Sequence, residues 1–143
     1  MSTPYDDLRT GCETAIAAIP SVPSIVLSNK PAFRKGDPTR LIVLSWRDDE
    51  IEPDCFEEQI DARYEVRVTI FDQENYQFGN PPETLLALRI EIRQALYGLI
   101  SSGSTTPWDW AIRMGKVLDK ENEGGGYWQS TIVASYTVLE TGT

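Results

Sequence analysis

The sequence predicts an α+β fold, a mostly antiparallel sheet with two helices packed on one face in the order α-β-β-β-α-β-β. Three stretches carry that expectation. Residues 64–70 place Tyr64, Val66, Val68 and Ile70 on one side and Glu65, Arg67 and Thr69 on the other, the period-two pattern of a half-buried strand with a wet face. Leu85, Leu88, Ile92, Leu96 and Leu99 recur at helical spacing and form one stripe. Residues 127–139 alternate again, with Trp128, Ser130, Ile132, Ala134, Tyr136 and Val138 set against Gln129, Thr131, Val133, Ser135 and Thr137. A strand of that length is expected to pair with residues 64–71. A chain of 143 residues, 41% of them hydrophobic, has material for one core, so residues 1–143 are expected to form a single domain.

The elements follow in order. Residues 4–19 read as a helix, with Thr3 as cap, Pro4 in the first turn, and Asp6 and Asp7 complementing the positive helix end. Its apolar stripe is Leu8, Cys12, Ala15, Ile16 and Ile19, and Pro20 and Pro23 end it. Residues 24–28 make a short strand before the turn-rich segment 29–39. In residues 40–46, Leu41, Val43 and Ser45 alternate with Ile42, Leu44 and Trp46, apolar enough on both sides to be a central strand. An acidic loop at 47–62 leads into the strand from Arg63. Asn80 accepting from the Glu83 amide, with Pro81 at the first helical position, starts the second helix, and Gly98 offers it a left-handed end. Residues 101–106 are polar and flexible in composition. Trp108 and Trp110 point the same way if extended, and such a pair more often closes a core edge than binds a ligand. Residues 113–119 are expected to form a strand, and 120–126, with Gly124, Gly125 and Gly126, a mobile hairpin loop.

Charge and composition narrow the function. Asp48, Asp49, Glu50, Glu52, Asp54, Glu57, Glu58 and Asp61 put eight acids and no base in one stretch, which leaves 14 of the 22 acids to balance all 13 bases. Nearly all of the net charge of −9 is therefore local. Such a stretch repels nucleic-acid backbones and either stays solvated or faces a basic partner. The chain has no histidine, which excludes imidazole bases, Ser-His-Asp and Cys-His sites and imidazole-based metal centres. Its two cysteines, Cys12 and Cys55, are too few for a structural zinc site and are expected as free thiols. No phosphate-binding or dinucleotide fingerprint occurs, because the glycines at 124–126 lack the following Lys-Ser/Thr. The acidic stretch lacks the alternating ligands and central glycine of an EF-hand loop. No catalytic, cofactor-binding or metal-binding residue is assigned, and the protein is expected not to be an enzyme. No apolar run approaches the about 20 residues that cross a bilayer, and Met1 to Tyr5 lack signal-peptide character, so no membrane association is expected.

Three segments carry a resemblance. Arg63-Tyr64-Glu65-Val66-Arg67-Val68-Thr69-Ile70-Phe71, the helix from Leu85 to Leu96 ending at Tyr97-Gly98, and Gln129-Ser130-Thr131-Ile132-Val133-Ala134-Ser135-Tyr136-Thr137-Val138 resemble the tail terminator and tail completion (head-tail joining) proteins of long-tailed phages. The likeness covers most of the chain and rests on pattern, with no invariant motif. It implies a virion structural protein, made in the host cytoplasm, that forms a homo-oligomeric ring, a hexamer, at the head-proximal end of the tail tube. Such a ring ends tube growth and joins the tail to the head or neck. Its partners are further copies of the chain, the tail tube protein and a head-neck connector protein, while DNA passes through without specific binding; no cofactor is implied. Asp48, Asp49, Glu50, Glu52, Asp54, Glu57 and Glu58 are then a candidate partner-contact loop, and Trp108 and Trp110, or an edge strand, candidate subunit contacts. The same residues leave open a head-closure or neck adaptor protein. An acidic nucleic-acid mimic that inhibits a nuclease is the alternative of another class, although confinement of the charge to one stretch argues against an extended mimic. An enzyme with perturbed carboxylates stays open without support from any motif.

Overall fold

A computed structural model describes residues 4–20, 22, 24–27, 32–46, 50–53, 59–74, 76–102 and 109–141. Helix α1 (Pro4–Ala17) is followed by β1 (Ser24–Leu27), β2 (Arg40–Trp46), β3 (Glu50–Pro53) and β4 (Gln59–Asp72). Helix α2 (Glu83–Ser102), β5 (Asp109–Met114), β6 (Leu118–Asn122) and β7 (Gly125–Thr141) complete the chain. The strands form one sheet in the order β1-β2-β4-β7-β5, with β3 also on β4 and β6 also on β7. β1 is parallel to β2 and every other pairing is antiparallel. The α+β class and the pairing of 64–71 with the last strand hold: β4 and β7 pair along their length, from Gln59 opposite Thr141 to Asp72 opposite Trp128. No helix among the described residues is long and apolar enough to cross a membrane.

Both helices cover one face of the sheet. Cys12 and Ile16 of α1 and Leu85, Leu88, Ile92 and Leu96 of α2 pack on Ile42 and Leu44, on Val66, Val68 and Ile70, and on Trp128, Ile132, Ala134 and Tyr136. These are the stripes and faces that alternation selects. The other face is wet along only part of its length. Glu65 and Arg67 are half-buried there, joined by an ion pair of 3.2 Å, but Thr69 and Phe71 farther along β4 are buried. Phe71 is covered by Phe33, which the turn segment lays over Leu41, Val43, Phe71 and Tyr127 as a second cluster. Its ring lies 5.4 Å from that of Phe71 and 4.9 Å from that of Tyr127. Asp37 holds the turn by accepting from the Arg34 amide at 2.7 Å while its own amide donates to the Arg34 carbonyl at 3.0 Å.

Four local expectations are corrected. Helix α2 begins at Glu83, with the Pro82 carbonyl accepting from Leu85 and Leu86, while the Asn80 amide closes a turn on Gln77. Gly98 does not end that helix, which continues to Ser102, and its φ is not among the positive ones. The acidic stretch is not wholly a loop: β3 pairs with the start of β4, placing Glu52 opposite Asp61 and Glu50 opposite Arg63. The hairpin at 120–126 narrows to a turn at Glu123 and Gly124, with Asn122 opposite Gly125, the Asn122 Oδ1 accepting from the Gly124 amide at 2.7 Å and Gly125 at φ 109°.

The strand expected at 113–119 is two strands with a one-residue offset between them. Met114 stands opposite Ile132 and Leu118 opposite Gln129, so four steps on one side match three on β7. That surplus is a β-bulge, and it reverses which residues face the helices. Val117 packs against the main core and Leu118 turns to solvent at 43% exposure. Gly115 sits at the break, its amide donating to the Thr131 carbonyl at 2.8 Å. A Cβ there would approach that oxygen to 3.1 Å.

Candidate interaction surface

Helix α2 has two stripes. Leu85, Leu88, Ile92 and Leu96 face the sheet, while Leu86, Ile90 and Tyr97 are exposed. Offsets of four and eleven residues put those three within about 40° of one another around a helix of 3.6 residues per turn. Arg89 and Arg93 lie between the stripes and reach toward the end of β5. The Arg89 Nη2 donates to the Gly115 carbonyl, and the Arg93 Nη1 lies 3.6 Å from the Met114 sulfur. Burial lowers the Arg89 pKa, and the neighbouring Arg93 charge lowers it further. Arg113 and Lys116, on and just after β5, are exposed. The result is an apolar flank on α2 bordered by Arg89 and Arg93; Arg113, between Ile112 and Met114 that pack on the main core, belongs to the other face of the sheet. The exposed triplet was readable in the sequence as a second helical stripe, but it was masked by the stronger one.

At another margin the connection from β4 to α2 is tied to β6. The Tyr76 hydroxyl donates to Asp119 Oδ1 at 2.5 Å, its ring lies 5.7 Å from Trp128, and a Cβ on Gly126 would lie 2.3 Å from it. The Asp119 bond is the main reason the Tyr76 pKa is pushed up to about 12. Phe78, in the same connection, is 87% exposed.

Among the described residues, Cys12 and Tyr136 are ionisable groups inside the main core, and Asp72 is buried outside it. Burial pushes the Cys12 thiol up to about 12, an effect that its neighbour Tyr136 moderates. The Tyr136 hydroxyl is buried without a partner in hydrogen-bond geometry, so the thiol beside it is a polar neighbour, not a well-formed acceptor. Asp72 is 1% exposed, with Arg40 3.6 Å away; burial raises its pKa and Arg40 opposes the rise. Among the described residues, no three His, Cys, Asp or Glu side chains gather as a metal site would require.

Of the residues singled out by sequence, Glu50 and Glu52 lie on β3, next to the start of β4. Asp48, Asp49, Asp54, Glu57 and Glu58 lie outside the described residues, as do Cys55 and Trp108. Trp110 is in β5 opposite Tyr136, on the strand that forms one margin of the sheet.

No family model matches the chain, and no curated protein matches it. Among solved structures, it is similar to a chain from the virion of a native gene transfer agent particle, with a TM-score of 0.51 at 8% identity, covering 99% of this chain and 100% of that one. The likeness is one of fold, and it extends over the whole of both chains.

Proposed function

We propose that the protein is a virion structural component that forms a ring at the head-proximal end of a phage tail tube, ends tube growth and joins the tail to the head or neck. The observation that carries this reading is the whole-chain likeness in fold to a chain of a virion particle. The net charge of −9 is compatible with it, because a negatively charged chain does not hold DNA that moves past it. In this reading the protein is not an enzyme, and its surfaces serve contacts with further copies, with the tube and with a neck protein.

The test is the mass in solution by light scattering, alone and with the tail tube protein, followed by negative-stain imaging. Rings, or particles that cap tube ends, are the expected result. A monomer that ignores tubes and binds a basic nuclease would overturn the reading in favour of an inhibitor.

A further inference from the structure

At one end of the sheet, the face that the helices cover is polar. Alternation from Ile42, Ile70 and Ile132 puts Arg40, Asp72, Trp128 and Ser130 on that face, where β4 ends and the connection to α2 leaves. Arg40 stands opposite Asp72, Asp72 opposite Trp128, and Ser130 is two residues along β7 from Trp128. Asp72, Trp128 and Ser130 are 1%, 4% and 0% exposed, so water on the surface does not reach them. Each nevertheless has an atom buried without a partner in hydrogen-bond geometry: Oδ1 of Asp72, Nε1 of Trp128 and Oγ of Ser130. Burying a polar atom unpaired is costly, and folded proteins seldom leave three so at adjoining positions.

We infer that Asp72, Trp128 and Ser130 together bind one buried water molecule. Their three atoms are complementary to it. The indole Nε1–H only donates, the carboxylate Oδ1 only accepts, and the hydroxyl does either. A water accepts from Trp128, donates to Asp72 and shares a third bond with Ser130, and about three bonds is the usual number for a water inside a protein. Side chains at opposed and diagonal positions of a sheet start about 5 and 7 Å apart, separations that one bridging water suits better than direct bonds between short side chains. The guest is neutral because the carboxylate already has its cation: the Arg40 Nε lies 3.6 Å from the Asp72 Oδ2. Arg40, with its side chain 23% exposed, stands at the outer end of the row, between the site and solvent. The bound water joins β4 to β7 and, through Asp72, to Arg40 of β2, a polar cross-link over three strands. This site is independent of the ring reading.

The test is a crystal structure of the wild-type protein at a resolution that shows ordered water, paired with oxygen-17 relaxation dispersion, which counts waters held for longer than the protein tumbles. One water within about 3.2 Å of Asp72 Oδ1, Trp128 Nε1 and Ser130 Oγ is expected. Ser130→Val replaces the hydroxyl by apolar bulk and is expected to lower the count of long-lived waters by a single molecule, with an unchanged far-ultraviolet circular dichroism spectrum. If that variant fails to fold, the wild-type crystal structure decides alone. A Trp128 indole that donates directly to Asp72, a cation or no density between the three atoms, or a folded S130V protein with the wild-type water count would each overturn the inference.

Discussion

Replacing Phe33 by alanine tests whether the sheet face turned away from the helices is solvated, as its alternating pattern suggests, or closed at one end, as the structure has it. The Phe33 side chain is 7% exposed and packs among Leu41, Val43, Phe71 and Tyr127. Returning a buried phenylalanine to water costs about 1.5–3 kcal/mol. The two nearer ring pairs, at 5.4 and 4.9 Å, add roughly 0.5–1.5 kcal/mol each beyond area. The cluster lies under a surface segment that can settle into the space, which keeps the total near the low end, about 3 kcal/mol. For a chain of this length that corresponds to a fall in melting temperature of roughly 10 °C. Phe33→Leu keeps most of the apolar area and loses the ring geometry, so about 1–1.5 kcal/mol is expected. Urea unfolding followed by circular dichroism measures both, the midpoint falling while the slope is unchanged. A loss below about 1 kcal/mol for the alanine variant would refute the second cluster and restore a wet outer face.

Three further outcomes follow from particular side chains. Plain alternation from Met114 would bury Leu118, whereas the bulge buries Val117; Leu118→Ser is therefore expected to change stability by less than about 0.5 kcal/mol, and Val117→Ser to cost more than about 1 kcal/mol, by the same urea assay. The pKa of Asp72 is raised by burial, so the folded protein binds its proton more readily than the unfolded chain does. The ionised carboxylate thus weakens the fold above its folded pKa, and the penalty fades as pH falls through that value. Asp72→Asn removes it, so melting curves should show the variant's advantage over wild type shrinking between pH 7 and the acid range; an advantage constant with pH would contradict this. Finally, Cys12 is buried with its pKa pushed up to about 12, so in a Cys55→Ser background a thiol reagent at pH 8 is expected to label Cys12 only in denaturant. Rapid labelling of the folded protein would show that α1 opens readily.

Patterns of period made the main frame legible. The faces of β4 and β7 and the stripes of both helices depend on residues two, three or four apart, and local spacing determines which side each falls on. What escaped was set by partners distant in sequence. Phe33 is part of a turn-rich segment with no period, and only the folded sheet brings Phe71 and Tyr127 beneath it. The bulge between β5 and β6 is visible only against β7, because a surplus residue is defined by what it fails to pair with. Gly98 has the composition of a helix end, yet nothing stands within 4 Å of a Cβ built there, and the helix runs on through it. Glycine allows a left-handed end without requiring one. The candidate surface was half legible: the acidic stretch is obvious as a run of charge, but the flank of α2 carrying Leu86, Ile90 and Tyr97 gains meaning only where Arg89 and Arg93 reach β5.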